Sequence, residues 1–215
     1  MINDYEIARE RMIEEQLKSR DIRDPRVLQA MGKVSRHLFV PQELKGQAYE
    51  DRPLPIGQDQ TISQPYMVAL MVQALELRGN ERILEVGTGS GYATAVLAEL
   101  CAQVYSMERL EALATRARFV LANLSYDNVR IITGDGTLGL ADYAPYDGVV
   151  ISAAAPCLPR PLLEQLKPGG RLVVPMGEQE LQALVRIRKT TEGLEEDYLG
   201  ECHFVKLIGT YGWDE

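Results

Sequence analysis

The stretch Arg82-Ile83-Leu84-Glu85-Val86-Gly87-Thr88-Gly89-Ser90-Gly91-Tyr92 constrains this chain more than any other part of it. It reads as a short apolar strand, an acidic residue, three alternating glycines and a helix beginning near Ser90. Glycines at a strand-to-helix turn permit positive φ and let a ligand approach the backbone with no Cβ in the way. Such a turn can also merely pack a helix on a strand, but in α/β sheets it often serves a nucleotide-type ligand. The dinucleotide fingerprint G-x-G-x-x-G needs its third glycine at position 92, where this chain has Tyr92. Glu85 is expected in the crevice at the strand's carboxyl end, where a carboxylate repels a pyrophosphate and welcomes an ammonium or sulfonium group. That asymmetry favours S-adenosylmethionine as the ligand.

The remaining pattern supplies the sheet. Apolar runs at residues 103–107, 129–132, 148–151 and 171–174 alternate with helical patterns at about 90–100, 110–124 and 160–166. Continuous apolar strands separated by helices describe a parallel sheet covered on both faces, an α/β doubly wound, Rossmann-like fold. Beyond Gly177, residues 181–188 alternate apolar with polar, Glu192-Gly193 is a turn signal, and residues 203–207 form a last apolar strand. Two late strands with no helix between them predict an antiparallel hairpin at one sheet edge. Upstream, residues 4–20 read as an amphipathic helix through Ile7, Met12, Ile13 and Leu17, and a second helix starts near Pro25. These pieces make an N-terminal helical cap. One domain results, with a cap and substrate loop over residues 1–64, an α/β core over 65–177 and C-terminal strands over 178–215.

Residues 46–65 are the least regular, with prolines and glycines that exclude a long helix or a central strand. A long loop in a compact domain is usually functional or a linker. Its apolar anchors (Tyr49, Leu54, Ile56, Ile62) and small donors (Thr61, Ser63) make it a wall of the site. Ser63 has a plainer alternative, capping the helix that begins at Pro65. That helix is apolar around most of its circumference and is expected to be buried.

Acidic residues end three successive strands: Glu85, Glu108 and Asp135. Each alone could be a solvated loop acid; in register with a glycine loop they surround a ligand crevice. Glu108, about twenty residues beyond the loop, suits a carboxylate gripping two ribose hydroxyls and disfavours a 2′-phosphate. Asp135 is placed to accept from an adenine amino group. Glu108 alone leaves NAD open; Glu85 and the missing third glycine count against it. The chain has neither a G-x-x-x-x-G-K-[ST] loop nor a G-x-S-x-G elbow.

Composition narrows the partners. A net charge of −8 with no basic block argues against nucleic acid, and no apolar run approaches a membrane span. The polar, acidic first six residues are no secretory signal. Cys101, Cys157 and Cys202 are odd in number and widely spaced, which suits reduced thiols in the cytoplasm. With two histidines and no C-x-x-C, no metal site is expected.

Several segments together resemble one family. They are Arg36-His37-Leu38-Phe39-Val40-Pro41, Ala48-Tyr49-Glu50-Asp51-Arg52-Pro53-Leu54-Pro55-Ile56-Gly57, Gln60-Thr61-Ile62-Ser63-Gln64-Pro65, the glycine loop, Gly134-Asp135-Gly136, Ala153-Ala154-Ala155-Pro156, Gln165-Leu166-Lys167-Pro168-Gly169-Gly170-Arg171-Leu172 and Phe204-Val205-Lys206-Leu207-Ile208-Gly209. They are similar to the protein-L-isoaspartate O-methyltransferases, and the likeness covers nearly the whole chain. The glycine loop is shared by many methyltransferases; Thr61-Ile62-Ser63 is specific to this family. The resemblance implies a class I methyltransferase fold and methyl transfer from S-adenosylmethionine, with S-adenosylhomocysteine as product, to isoaspartyl and D-aspartyl carboxylates of damaged proteins. It implies that Ser63 is the active-site serine, between donor and acceptor, with Ile56, Gln60 and Thr61 on the same wall. Val205 and Leu207 match positions whose backbone lines the peptide groove. On the donor side it implies Glu85, Gly87, Thr88, Gly89, Gly91, Glu108, Asp135 and Gly136. The family usually has glycine where Asp59 stands and proline where Lys206 stands; Lys206 adds a cation near the groove. A monomer is expected.

Overall fold

The structure, a computed structural model, describes residues 4–178 and 181–214. The first three residues, part of the polar N-terminal stretch, lie outside the described residues. Helix α1, Asp4–Arg11, continues in wider π-type winding through Met12–Lys18. Met12 and Leu17 are fully buried, whereas Ile7 is exposed, so the inward stripe is narrower than the spacing predicts. Helix α2, Pro25–Lys33, starts where expected: Asp24 Oδ1 accepts from the Arg26 amide at 2.8 Å and proline occupies the first turn.

Residues 46–65, which read as irregular, include an ordered two-stranded ribbon outside the main sheet. Strands β1, Leu54–Gly57, and β2, Gln60–Ile62, pair antiparallel. Gln58 and Asp59 both have φ of 55°. Positive φ at both central residues is what a type I′ two-residue hairpin turn requires, and aspartate tolerates it better than most residues. Helix α3, Pro65–Ala74, follows and is buried over most of its length.

The main sheet holds β3 (Arg82–Val86), β4 (Gln103–Glu108), β5 (Val129–Thr133), β6 (Tyr146–Ile151), β7 (Leu166–Glu178), β8 (Leu181–Lys189) and β9 (Leu194–Cys202), in the order β5-β4-β3-β6-β7-β8-β9. The pairs from β5 to β7 are parallel; β7–β8 and β8–β9 are antiparallel. Helices α4 (Tyr92–Ala98), α5 (Glu111–Asn123) and α6 (Arg160–Glu164) belong to the connections. Alternate side chains feed two cores. Ile83, Val104, Val150 and Val173 join α2 to α5 on one face, while Leu84, Tyr105, Val149 and Leu172 join Leu162 of α6 on the other. From β3 the chain winds out to β5, then returns to β6 on the other side. This reversal opens a crevice at the carboxyl ends of β3 and β6.

The edge hairpin is present, but its outer strand differs from expectation. Residues 194–202 pair with β8, and residues 203–207 do not form a regular strand. β9 is mostly exposed and carries Glu195, Glu196, Asp197 and Glu201, so an apolar pattern does not reveal it. Past β9 the Gln182 side chain replaces a ladder: its Oε1 accepts from the Phe204 amide at 2.7 Å and its Nε2 donates to Phe204 O at 3.1 Å. The backbone then crosses to the end of β6. The Ala154 amide donates to Val205 O and the Leu207 amide to Ala154 O, both at 2.8 Å.

Candidate active site

The crevice at the switch point widens into a cavity with about 1080 Å³ of open space. Its floor is the glycine turn after β3. The Gly87 amide donates to Met107 O at 2.8 Å, tying the turn to β4. Gly87, Thr88 and Gly89 line the cavity, with Glu108 and Gly136 beside them. Gly136 must be glycine, because a Cβ there would come within 2.5 Å of Val86 Cγ1. Val68 and Met71 of α3, Tyr92 and Leu97 of α4, and Val205 and Leu207 complete the wall. Helix α4 starts at Tyr92, two residues later than its predicted onset, with Gly91 as its cap.

Glu108 ends β4 almost fully buried. Its Oε2 accepts from the Gly89 amide at 2.8 Å and its Oε1 from the Leu110 amide at 3.0 Å. Each carboxylate oxygen keeps a lone pair for a ligand hydroxyl.

Glu85 sits differently from the strand-end expectation. It shares the sheet face of Ile83, so its side chain turns beneath α4, is fully buried, and is not among the lining residues. Its Oε2 accepts from Thr94 Oγ1 at 2.5 Å and Ser106 Oγ at 2.6 Å, and the Ser106 hydroxyl meets Thr88 Oγ1 at 2.5 Å. Its Oε1 is buried with no partner among the described residues. Burial pushes the carboxyl up to about 7; the Ser106 and Thr94 bonds oppose this and nearby Glu108 reinforces it.

Three other expected residues also stand off the cavity. A Cβ on Gly91 would meet Ala117 Cβ at 3.2 Å and Leu121 Cδ1 at 3.3 Å, so this glycine lets α4 approach α5. Ile56 packs outside the turn, its Cδ1 at 3.5 Å from where a Cβ on Gly89 would lie. The Asp135 carboxylate is spent on the chain's own tail. It accepts from the Thr137 amide at 2.9 Å, Thr137 Oγ1 at 2.6 Å and the Thr210 amide at 2.8 Å. Burial pushes this carboxyl up, but the bonds outweigh it and hold it below its ordinary value.

A second cleft, with about 1000 Å³ of open space, adjoins the first. Thr61, Ser63, Ser152 and Val205 line both and so form a shared wall. Gln60 lines only the first. Ser63 does not cap α3: Gln64 occupies the cap, and Ser63 Oγ has no hydrogen-bond partner among the described residues. Ser63 is instead held by its backbone, whose carbonyl accepts from Arg36 Nη2 at 2.7 Å. Arg36 and Ser152 were not assigned from the sequence. Arg36 stands between Ser35 and His37, and Ser152 follows the apolar run of β6; neither carries a signal of its own in the sequence.

A parallel sheet reversing at a glycine turn, a ribose-type acid at the next strand end and a second cleft meeting the first define a Rossmann-like class I methyltransferase. The protein family Protein-L-isoaspartate(D-aspartate) O-methyltransferase (PCMT) matches residues 7–212. A Protein-L-isoaspartate O-methyltransferase 1 of Syntrophobacter fumaroxidans is 55% identical over 214 residues, covering 100% of both chains. A Protein-L-isoaspartate O-methyltransferase of Syntrophus aciditrophicus is 51% identical over 216 residues, covering 99% of each. Among solved structures, a putative protein-L-isoaspartate O-methyltransferase from Plasmodium falciparum, in complex with S-adenosyl-L-homocysteine, aligns with a TM-score of 0.79 at 27% identity, over 96% of this chain and 99% of that one. The chain belongs to the protein-L-isoaspartate (D-aspartate) O-methyltransferase family.

Proposed function

We propose that the two clefts bring a methyl donor and a damaged-protein carboxylate together across the wall that carries Ser63. The enzyme is an S-adenosylmethionine-dependent protein-L-isoaspartate O-methyltransferase, acting on the free carboxylate of L-isoaspartyl and D-aspartyl residues. The observation that carries the site assignment is Ser63: it borders both cavities, and its hydroxyl has no hydrogen-bond partner among the described residues.

The donor fits the first cavity on two grounds. A buried carboxyl oxygen without a partner, Glu85 Oε1, stands behind the lining residues and suits a cationic amino acid end reached through a bridging water. The bare backbone at Gly136 and the glycine turn suits a nucleoside lying close. The donor supplies an electrophilic sulfonium methyl that departs from a neutral thioether. Glu108 would hold the ribose hydroxyls. Asp135 would act on the adenine side only indirectly, by fixing Gly136 and the tail.

The acceptor would enter through the second cleft, with Thr61 and Val205 steering its backbone; Leu207, expected with them, lines only the first cavity and would meet the acceptor only where the two clefts join. Its carboxylate, with a reference pKa of about 4, is ionised at neutral pH and needs no general base. The protein must hold one oxygen about 3 Å from the methyl and keep water out. Ser63 Oγ would donate to the other oxygen. We further take the chain to work as a monomer on protein substrates in the cytoplasm, where its three unpaired cysteines stay reduced.

The test is methyl transfer to an isoaspartyl peptide beside its aspartyl twin, with wild type and Ser63→Ala. Labelling of the first peptide alone is expected, with turnover lost and donor affinity kept in the variant. Labelling of both peptides would overturn the acceptor assignment. Loss of donor binding with preserved turnover would overturn the role of Ser63.

A further inference from the structure

Among the described residues, Arg36 is the largest fully buried side chain that carries a charge. It lies in a short 3₁₀ turn, Arg36–Leu38, within the N-terminal cap. Burial lowers its guanidinium to about 10, with Tyr92, Tyr49 and Asp51 opposing, so it remains a cation at neutral pH. Asp51, the acid among these, is engaged by Arg20 at 3.1 Å. A buried cation that lacks a dedicated acid must be held by dipoles, and one edge of the guanidinium shows which. Nε donates to Ala48 O and Nη2 to Ser63 O, both at 2.7 Å. Its carbon stands 4.8 Å from the centre of the Tyr92 ring, and Tyr92 forms part of the donor cavity. The remaining nitrogen, Nη1, is buried with no partner among the described residues.

We propose that Arg36 is a positioning residue for methyl transfer: it fixes the Ser63 backbone relative to the Tyr92 wall, and so sets where Ser63 Oγ meets the acceptor carboxylate. This rests on the assignment of Ser63 above. The geometry is suited to the task. Ser63 lies between β2 and α3, where no strand partner or helical bond holds its carbonyl; Arg36 does. A planar fork can serve two carbonyls along one edge while its face stacks on a ring, which an ammonium cannot do. Arg36→Lys keeps the charge and much of the stem but loses that edge. Reaction rates fall by roughly a hundredfold for a 1 Å misplacement of reacting groups. Donor binding rests chiefly on the turn and Glu108, with which Arg36 shares no hydrogen bond, so Arg36 should bear on it only through the Tyr92 ring.

The experiment is a double-mutant cycle on the full chain with an isoaspartyl peptide, using Arg36→Lys, Ser63→Ala and the double variant. Donor affinity is measured alongside by equilibrium binding of S-adenosylhomocysteine. Arg36→Lys should lower kcat by roughly 10- to 100-fold with donor affinity within about threefold of wild type. In the Ser63→Ala background the same change should lower kcat by less than about threefold, because the group that Arg36 positions is gone. Equal losses in both backgrounds would make the role merely structural and overturn the proposal. An unchanged kcat in folded Arg36→Lys, or a variant that does not fold at all, would overturn it too. If wild type and Ser63→Ala turn over equally, the assignment of Ser63 fails first, and the cycle reports that separately.

Discussion

Glu85 offers a sharp test of how the donor cavity is charged. Its carboxyl has an ordinary value of 4.5 and is pushed up to about 7 in the folded chain, chiefly by burial. Below about pH 4.5 it is neutral in both folded and unfolded states and contributes no pH dependence. Between 4.5 and 7 the unfolded chain releases its proton while the folded chain retains it, so stability falls as pH rises. Above 7 the whole penalty is present, about 3 kcal/mol from the span between the two values. Glu85→Gln abolishes this ionisation. Its amide keeps an oxygen for Thr94 and Ser106 but sets an N–H where Oε1 has no partner, a pH-independent cost of about 1–3 kcal/mol. Urea unfolding of both proteins without ligand, from pH 4 to 8, separates the two effects. The stability of Glu85→Gln relative to wild type should climb by about 3 kcal/mol across that range, whatever its value at pH 4. A difference that stays flat, or runs the other way, would refute the buried neutral carboxyl. The same proton governs binding: wild-type affinity for S-adenosylhomocysteine, whose amino group is a cation, should tighten as pH rises through 7, and that of the variant should not.

Gly136→Ala drives a methyl against Val86 in the cavity wall, so it should weaken donor binding about tenfold and destabilise by about 1–3 kcal/mol, read by titration and thermal melting. Unchanged donor affinity would remove Gly136 from the site. Asp135→Asn should cost about 1–3 kcal/mol and speed hydrogen exchange at Thr210 and Tyr211 before the sheet is affected. In wild type the contribution of Asp135 is present above its ordinary value of 3.8 and is lost as acidification protonates it. Lys206 is exposed on the cavity rim, its Nζ 5.4 Å from the Trp213 ring centre. Lys206→Ala should raise KM about two- to fivefold for isoaspartyl peptides with acidic flanks and leave neutral peptides and the donor unaffected; equal changes for both peptides would dissociate Lys206 from acceptor choice.

What the sequence made legible followed from periodicity, and what it hid followed from polarity. Strands β3 to β7 are apolar runs between helices, and their order follows from winding rules once the glycine turn is fixed. β9 is an exposed, acid-rich edge strand, and 203–207, its apolar neighbour, drew the assignment instead. Glu85 was expected at the crevice because it stands near a strand end. Counting by twos from buried Ile83 would have put its side chain under α4. Asp135 has a local use that spacing alone suggests, since an Asx residue two before Thr137 can cap the turn it begins. The shared wall between the clefts joins residues from the ribbon, the end of β6 and the C-terminal segment. Only their tertiary arrangement shows that they meet.

The two sides of that wall are built by different means. The donor side rests on parallel strands whose ladders satisfy their own backbone, so that Glu108 braces the turn and still keeps lone pairs for a ligand. The acceptor side consists of chain outside the ladder: Ser63 after the ribbon, and 203–207 after β9. Buried backbone groups outside a ladder still need partners. Here side chains supply several of them: Arg36 for the Ser63 carbonyl and Gln182 for both polar groups of Phe204. A ladder shares the loss of one residue among its neighbours, whereas each of these contacts depends on one side chain. Single substitutions at Arg36 or Gln182 should therefore disturb acceptor placement more than donor affinity, although neither is among the residues lining either cleft.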